Sequence, residues 1–359
     1  MFSYDSLFDF TTKVIVKMGF TPTAARQTAA VFLAAELRGI STHGVVRLGD
    51  YYHLWRAGRI NPRPNVTLVH QTPSTGVIDG DGTIGMIPSL KAMKLAIKKA
   101  ERTGSGWVAV KNSCNFGIAG YYAMMALEHN MIGFAMTNAS PLVAPTFSAQ
   151  AMLGTNPIAI AVPAEKQPPF VADFATTPVT RGKFTLAAKK GEKISFGYAQ
   201  DAEGRPSDNP SVLEQGGSML PLGGDREHGS HKGFCLGAGV DILSAVLSGA
   251  NFGPFVPPMV AYLPMPQRQV GEGLGHFFGA LRIDGFMPAG QFKARMDEWI
   301  LTLRGAAPAK GEECVLIPGD IERENEFRIR NEGITLIPQV IDDLKEIASR
   351  FSLRFPEER

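Results

Sequence analysis

Residues 75–110 read TGVIDGDGTIGMIPSLKAMKLAIKKAERTGSGWVAV, in which a β-branched run, a glycine-rich turn, a long helical pattern and a second apolar run follow one another. The pattern predicts a strand, a helix and another strand in this order. Similar short apolar runs follow, separated by turns or helical stretches: IGFAMTN (132–138), PIAIAVP (157–163) and PFVADFA (169–175). This alternation predicts an α/β fold.

The glycine-rich turn, DGDGTIG at 79–85, has the G-x-G-x-x-G spacing between a predicted strand and a predicted helix. That spacing alone is a weak signal for a dinucleotide-binding loop. Asp79 and Asp81 would place negative charge against a pyrophosphate, and Pro88 would interrupt the helix start whose amides should bind it. We therefore interpret the segment as a tight turn and expect any cofactor to bind elsewhere.

Two helices are predicted before this unit. Thr21 and Pro22 are typical of a helix start, and the apolar run after them ends at Gly39. A second helix is predicted from Gly44 to Ala57. Its buried stripe consists of Val45, Leu48, Tyr52 and Trp55. His43 and Arg47 lie on a different side from that stripe.

The second half of the chain reads as loops followed by helices. A polar region from about Lys189 to Ser230 is interpreted as surface loops. FCLGAGVDILSAVLSG (234–249) predicts a buried helix, and GHFFGALRID (275–284) predicts a strand. Helices are also predicted over 289–305 and 337–351.

Composition limits the class of protein. The chain has 359 residues, of which 44% are hydrophobic and 19% charged, so it is long enough for a large core and for two lobes. Its 36 basic and 34 acidic residues are mixed along the chain and leave a net charge of only +2. Because no long basic run is present to follow a phosphate backbone, a nucleic-acid partner is not expected.

The expected compartment is the cytoplasm. Asp5 and Asp9 stand where a signal peptide needs an apolar core, and an amphipathic helix fits this segment better. No uncharged apolar run is long enough to span a bilayer, so no membrane partner is expected. Cys114, Cys235 and Cys314 are widely spaced and form no C-x-x-C pair, so neither a disulfide framework nor a zinc knuckle is indicated.

Several motifs resemble, in chain order, blocks of the type-2 malate/L-lactate dehydrogenase family. They are GISTHGVVRL (39–48), NSCNFGIAGYYA (112–123), LGTNPIAIAVP (153–163), DFATTPVTRGK (173–183), LPLGG (220–224) with HKGFCLGAGVDILSAVLSG (231–249), GHFF (275–278), and IPGDIE (317–322) with NEGI (331–334). The resemblance implies an NAD- or NADP-dependent oxidoreductase with a non-Rossmann α/β fold, a mixed sheet and flanking helices. It also implies a homodimer with two lobes per chain: a helical, substrate-side lobe (1–115 and 290–359) and a nicotinamide-binding lobe (116–289).

On the substrate side, the resemblance points to the first motif. Arg47 can bind a substrate carboxylate bidentately, and His43, one turn earlier, can reach the adjacent oxygen and exchange its proton. Thr155 and Asn156 are the other residues that the resemblance assigns to the substrate. The alternative is that Arg47 only pairs with Asp50 on a solvated face while His43 caps a helix.

The second motif departs from the family pattern. The family usually has Asn-Ser-x-His-Phe-Gly, and its histidine is commonly assigned as the acid/base; here that position is Asn115. An asparagine can hydrogen-bond a carbonyl oxygen but cannot exchange a proton near neutral pH. Either His43 therefore transfers the proton while Asn115 orients the carbonyl, or the chemistry is altered or lost.

The cofactor positions are carried over from the motifs. They are Asn138, Ser140, Asp173, Phe174, Ala175, Thr176, Lys183, His231, Lys232, Gly319, Asp320 and Ile321. Asp173 could bind a ribose hydroxyl, which favours NAD, although Arg181 and Lys183 could instead accept the phosphate of NADP. The simpler alternatives are that Asp173 caps a turn and that Lys232 is a solvated side chain.

The function predicted is a 2-hydroxy-acid dehydrogenase acting on malate or lactate, working as a 2-oxo-acid reductase in reverse. A cyclic imine reductase is the alternative within the enzyme class, since a substrate nitrogen changes the proton requirement. A non-catalytic homologue that still binds a dinucleotide is the alternative outside it. No metal is expected, because Glu227, His228 and His231 lie in a polar loop without a further ligand at fixed spacing.

Overall fold

The computed structural model describes residues 1–358, which form ten α-helices and ten β-strands. The helices are α1 (Tyr4–Lys17), α2 (Pro22–Leu37), α3 (Arg47–Arg56), α4 (Met86–Thr103), α5 (Ala119–Met124), α6 (Arg181–Lys190), α7 (Ser230–Asp241), α8 (Ala289–Arg304), α9 (Asp320–Glu332) and α10 (Pro338–Arg350). The strands are β1 (Thr67–Gln71), β2 (Thr75–Thr83), β3 (Ser105–Ser113), β4 (Met131–Thr137), β5 (Ile158–Val162), β6 (Phe170–Phe174), β7 (Ala199–Gln200), β8 (Pro206–Ser207), β9 (Ser218–Met219) and β10 (Leu274–Arg282). The predicted α/β class is confirmed.

Seven strands form one mixed sheet in the order β1-β2-β3-β10-β4-β5-β6. β2 and β3 pair in parallel, and every other neighbouring pair in this sheet is antiparallel. The predicted strand, helix and strand are confirmed, and they form a βαβ unit with α4 as its crossover. This helix packs directly on β3, because a Cβ on Gly106 would lie only 2.0 Å from the carbonyl oxygen of Ala96.

The central strand of the sheet comes late in the chain. β10 lies between β3 and β4, and its first seven residues are buried. Phe278 and Ala280 belong to the main hydrophobic core. The predicted strand at 275–284 is confirmed. It joins β3 and β4, which are close to each other in the sequence but far from β10.

The glycine-rich segment 79–85 begins as the irregular end of β2, where the register against β3 shifts between Asp79 and Thr83 and φ is positive at Asp81 and Gly82. Asp79 Oδ1 accepts hydrogen bonds from the Asp81 amide (2.8 Å) and from Asn112 Nδ2 (3.0 Å). Asp81 Oδ2 accepts from Asn61 Nδ2 (3.0 Å) and from the Asn65 amide (2.8 Å). Both carboxylates are thus engaged within the protein, but the tight-turn prediction is wrong in part, because residues 79–83 belong to β2 and only residues 84–85 connect it to α4.

The amino-terminal helices match their predicted signals, with one change. The Thr21 hydroxyl accepts a hydrogen bond from the Ala24 amide at the start of α2, and Gly39 follows that helix with φ +75°. The next helix, α3, begins at Arg47 and not at Gly44, because the Val45 amide is bound by the side chain of Glu36. The predicted stripe faces the core, where Val45, Leu48 and Tyr52 are buried and Trp55 packs against them.

The prediction of surface loops over 189–230 is wrong in part. This region contributes β7, β8 and β9, which form a second sheet in the order β8-β7-β9. The sheet belongs to a smaller core that also includes Val143, Phe184 and Val212. Strands of two residues are too short to show an alternating pattern in the sequence, which is why they were not predicted.

The helix predicted at 234–249 is present, but the prediction that it is buried is wrong. It consists of α7 followed by a π-helical turn at Ile242–Val246. Side chains on one side are between 42% and 58% exposed: Leu236, Ile242, Val246 and Leu247. None of the helices within residues 1–358, this one included, is long and apolar enough to cross a membrane.

The predicted two-lobe division stays a prediction. The seven-stranded sheet takes β1, β2 and β3 from the predicted substrate-side lobe and its other four strands from the predicted nicotinamide-binding lobe. The main core extends through both parts, and the smaller core lies within residues 143–219. The two cores thus divide the chain differently from the predicted boundaries.

Candidate active site

The predicted His43–Arg47 pair lies on a short connection between α2 and α3. Residues 41–43 form a 3₁₀ turn, in which Thr42 Oγ1 lies 3.1 Å from His43 Nδ1. Arg47 Nε donates to the Thr42 carbonyl oxygen at 2.8 Å, so the arginine folds back over the turn that carries the histidine. The two residues are therefore held beside each other by Thr42.

Arg47 also makes the contact that the simpler alternative foresaw. Its Nη1 donates to Asp50 Oδ2 at 3.0 Å, and the arginine side chain is 37% exposed. Its Nη2 makes no hydrogen bond within residues 1–358. The guanidinium is thus oriented by two protein oxygens while one of its nitrogens remains available to an anion.

His43 is a neutral imidazole at neutral pH. Burial and, to a smaller extent, the positive charge of Arg47 lower its pKa to about 4. His43 was expected to donate a proton because a histidine usually titrates near neutral pH. In the chain without ligand its pKa is too low for this. A neutral ring nitrogen can accept a proton from a substrate hydroxyl.

Asn115, at the position where the resemblance implies a histidine, follows β3 and is held by two donors. The Gly117 amide donates to its Oδ1 at 2.9 Å. The hydroxyl of the buried Tyr51 lies 2.6 Å from the Asn115 carbonyl oxygen and 3.1 Å from Oδ1. Because an amide N–H points at the side-chain oxygen, the orientation of the Asn115 amide is defined. Its NH₂ group is left without a partner in residues 1–358 and can donate to a ligand.

Tyr51 connects α3, which begins with Arg47, to the segment that carries Asn115. It stands on α3, one turn after Arg47, and its hydroxyl bonds the segment that carries Asn115. The start of α4 supports the same segment, since the Gly85 amide donates to the Asn115 carbonyl oxygen at 3.1 Å. His43 and Arg47 are therefore connected to Asn115 through Thr42, one turn of α3 and Tyr51.

Asp173 lies on β6, at the edge of the large sheet. Its Oδ2 accepts a hydrogen bond from the Gly120 amide at 2.7 Å, at the start of α5. Burial raises the pKa of Asp173 to about 6, against the opposing effects of this hydrogen bond and of Arg38. The carboxylate is therefore mostly ionised at pH 7. The alternative that Asp173 caps a turn is close to what is seen. The residue caps the start of a helix, but this helix is α5, whose Gly120 lies 53 residues earlier in the sequence.

The late segment Gly319–Ile321 lies beside Asp173. The Val171 amide, two residues before Asp173, donates to the Pro318 carbonyl oxygen at 3.0 Å. Asp320 is engaged within the protein, where Arg304 Nη2 donates to it at 2.8 Å and the Ile317 amide does so at 2.8 Å. Two apolar side chains, Phe174 and Ile321, are exposed here. A carboxylate beside exposed apolar groups fits a nucleoside, whose hydroxyls and ring need such partners.

Asn138 and Asn156 have structural contacts that occupy their side chains. The buried Asn138 donates to Asp241 Oδ1 (3.1 Å) and to the Asn251 carbonyl oxygen (2.8 Å), and it accepts from the Gly275 amide. Asn156 accepts from the Ala139 amide and donates to the carbonyl oxygen of Gly237 on α7. Both asparagines are fully buried, so they would act on a ligand through the backbone segments that they position.

The remaining predicted residues lie around this framework. Ser140 Oγ donates to the Pro257 carbonyl oxygen at 3.0 Å. Thr176 is buried and donates to the carbonyl oxygens of Thr155 and Asn156. Ala175, between Thr176 and Phe174, is half-buried. Thr176 thus connects the end of β6 to Thr155 and Asn156, whereas Ser140 is held by the segment at Pro257.

Basic side chains are exposed at the starts of two helices, α7 and α6. His231 and Lys232 stand on the first turn of α7, after Gly229 with φ +97°. The Lys232 amide is bound to the Gly229 carbonyl oxygen, so its ammonium is the group that this helix end offers to a phosphate. Lys183 is exposed on α6, whose Gly182 approaches Thr42 closely enough that a Cβ there would lie 3.4 Å from the threonine methyl.

No metal centre is present in the described part of the chain. His228 Nδ1 lies 2.7 Å and 2.8 Å from the two carboxylate oxygens of Asp225, which makes it an ion-pair partner. Across residues 1–358, no three His, Cys, Asp or Glu side chains are placed to hold an ion together.

Three residues of this site were missed by sequence reasoning. Tyr51 gives no sequence signal, because its partner is 64 residues away. Glu36 could have been noticed as a lone carboxylate in the apolar run VFLAAEL (31–37). Arg38 is buried and lies 3.7 Å from Glu326 on α9, a contact between segments that no local pattern connects.

Comparisons with known proteins identify relatives that cover nearly the whole chain. The family model described as malate/L-lactate dehydrogenase matches residues 2–345. Malate dehydrogenase of Pyrococcus abyssi is 40% identical over 354 residues, which cover 98% of this chain and 94% of the relative. The solved structure of sulfolactate dehydrogenase from Methanocaldococcus jannaschii is 36% identical, with a TM-score of 0.89 over 99% of this chain and 98% of that one. A more distant structure, Δ1-piperideine-2-carboxylate reductase from Pseudomonas syringae pvar. tomato, is 26% identical, with a TM-score of 0.82 over 97% and 99%.

Proposed function

The chain belongs to the malate/L-lactate dehydrogenase family, and from that premise we propose that it is an NAD(P)-dependent 2-hydroxy-acid dehydrogenase acting on malate or lactate. In the reverse direction it reduces the corresponding 2-oxo acid. The observation that carries the proposal is the set of contacts that connects His43 and Arg47 to Asn115 through Thr42, one turn of α3 and Tyr51. A hydroxy acid needs a cation for its carboxylate and a proton acceptor for its hydroxyl, and this set supplies both.

Arg47 binds the carboxylate in this proposal. Thr42 and Asp50 fix the direction of the guanidinium, and its Nη2 is left for a substrate oxygen. Each Nη carries two hydrogens, so Nη1 can donate to a second oxygen while keeping Asp50. A bidentate, charge-assisted contact then fixes the substrate's orientation.

His43 accepts the hydroxyl proton, and Asn115 donates its amide N–H to the same oxygen. His43 is neutral in the chain without ligand, which is the state a base requires. A carboxylate bound at Arg47 would offset the arginine's charge and so favour the protonated imidazole that forms. Asn115 contributes orientation alone, because an amide has no proton to exchange.

The nicotinamide cofactor, when bound, supplies or accepts the hydride. Asp173 would hold a ribose hydroxyl with Phe174, Ala175, Thr176 and the segment 319–321 around it. Lys232, His231 and Lys183 would face phosphates, and the backbone at Asn138 and Ser140 would complete the site. An ionised Asp173 repels a 2′-phosphate, which favours NAD over NADP.

We also infer a homodimer. We infer that the second copy packs on the exposed apolar side of α7 and of the π-helical turn after it. This side is formed by Leu236, Ile242, Val246 and Leu247. Apolar side chains that recur along one side of a helix are typical of a packed interface.

A cyclic imine reductase is the second candidate. It is favoured by Asn115, because a protonated imine already carries the proton that a 2-oxo acid must receive. The likeness to a piperideine carboxylate reductase, at 26% identity, supports the same candidate. Arg47 would keep its role, since that substrate also has a carboxylate.

A substrate and cofactor panel tests these proposals. NADH and NADPH binding is followed by fluorescence, and turnover by absorbance with the 2-oxo forms of malate, lactate and sulfolactate and with a cyclic imine acid. In His43→Ala, turnover with a 2-oxo acid should fall by about 10²- to 10⁴-fold with NADH binding retained. The exposed His70→Ala is the matched control and should turn over like the native chain. Cofactor binding without turnover on any substrate would favour a non-catalytic homologue.

A further inference from the structure

Glu36 is a buried carboxylate that the proposed reaction does not use. It stands in the last turn of α2 and is 2% exposed. Its Oε1 accepts a hydrogen bond from the Val45 amide at 2.8 Å. The two groups are packed closely, because a Cβ on the intervening Gly44 would lie 2.0 Å from the same oxygen. Glu36 therefore fixes the backbone from its buried side, just before α3 begins at Arg47.

Stability alone does not explain a carboxylate at this place. Burying an ionised group without a cation is costly, and Glu36 forms no ion pair within residues 1–358. Charged or titratable side chains also stand on the surrounding elements, and none of them pairs with Glu36: Arg38, His43, Arg47, Asp50, Tyr51 and, on α9, Glu322 and Glu326. Burial accordingly raises the pKa of Glu36 to about 7, against the effects of its bonds to Val45 and Ser41. A glutamine would accept the same amide hydrogen bond at a lower cost.

The contacts of the connection make its position depend on Glu36. Gly39 packs on α9, where a Cβ would lie 2.5 Å from Asn325 Nδ2, and Thr42 lies under α6. Arg47 bonds back to Thr42, so a shift of the Val45 backbone would move the arginine and the histidine turn together. The contacts of Gly39 with α9 and of Thr42 with α6 do not replace the hydrogen bond that Glu36 accepts from the Val45 amide.

We propose that Glu36 is a positioning residue, which, through the Val45 amide, fixes segment 41–47 so that His43 and Arg47 face one substrate together. The proposal extends the proposed function and rests on it, because it takes the ligand of His43 and Arg47 to be the substrate of that reaction. The placement of the segment itself is a structural claim that can be measured without turnover.

Hydrogen–deuterium exchange of the peptide covering 41–47 measures that placement. In Glu36→Ala, exchange of this peptide, corrected for intrinsic rates, should rise at least about tenfold, while the peptides of α4 stay as in the native chain. In kinetics, KM for the 2-oxo acid should rise at least about tenfold with the NADH dissociation constant within twofold. Ile15→Val, which removes a buried methyl group from α1, is the control for lost stability alone.

Glu36→Gln supplies a second, milder variant. In the native chain, protection of 41–47 should be severalfold lower at pH 8 than at pH 6, because ionisation of the buried Glu36 favours any opening of this segment that exposes the carboxylate to water. In Glu36→Gln this pH dependence should vanish. The proposal is overturned if both variants change only the melting temperature, as Ile15→Val does, or if native chain and Glu36→Gln show the same pH dependence. A native chain without turnover on any substrate would sink the proposed function, while the exchange data would still decide the role of Glu36.

Discussion

Replacing Glu36 by glutamine should stabilise the protein at pH 8 and leave its stability nearly unchanged at pH 4.5. The pKa of Glu36 is raised from 4.5 to about 7 in the folded chain, chiefly by burial. Between these two values the folded state keeps a proton that the unfolded state has released. The free energy of unfolding contributed by this group therefore falls as the pH rises from about 4.5 to about 7, and the whole deficit is present above that range.

The size of the effect follows from the same two pKa values. Their difference corresponds to about 3 kcal/mol, which is the most that Glu36→Gln should gain at pH 8. Urea unfolding at fixed protein concentration, at pH 4.5, 6 and 8, measures the gain. The exposed Glu313→Gln is the matched control and should show none. An equal gain at pH 4.5 and pH 8, or no gain at pH 8, would refute the assignment of an uncompensated buried carboxylate.

Three further substitutions test the site and the assembly. Arg47→Lys loses the bidentate contact and should raise KM for a 2-oxo acid by a factor that corresponds to about 2–4 kcal/mol, with NADH affinity unchanged; an unchanged KM would place the carboxylate elsewhere. Asn115→His restores the family's residue and should increase turnover if the native chain is limited by the missing base, whereas equal turnover would show that Asn115 is sufficient. Val246→Asp puts a charge on the exposed side of the π-helical turn and should shift the mass seen by light scattering from two chains to one. A native chain that is already a single chain at micromolar concentration would contradict the homodimer.

The predicted strands and helices were those whose side chains repeat over several residues. The βαβ unit from β2 to β3, the helix α2 with its Thr21 start, and the apolar strand β10 all have such patterns. The two-residue strands β7 to β9 have none, and they form only because the smaller core brings them together. The exposed side of α7 looks buried in the sequence because its apolar residues are the same whether they face a core or another chain.

The candidate site was predictable in its residues and not in their contacts. The motif around His43 and Arg47 suggested an anion site, and the structure links both residues to Asn115 through Tyr51. Asn138 was expected to line the cleft, yet it is buried and bonded to Asp241 and to two backbone segments. Such contacts join residues more than a hundred positions apart, and no local pattern contains them.

The place of β10 in the middle of the large sheet determines when the protein can fold during its synthesis. β3 and β4 are made early, but the strand that pairs with both of them, Leu274–Arg282, emerges only after most of the chain. Until then each of the two has an unpaired edge next to apolar side chains, a surface that favours association with other chains. Closing the sheet joins segments far apart in sequence, which slows folding. A ribosome-bound chain that ends before residue 274 should therefore bind chaperones, and one that extends past residue 282 should release them.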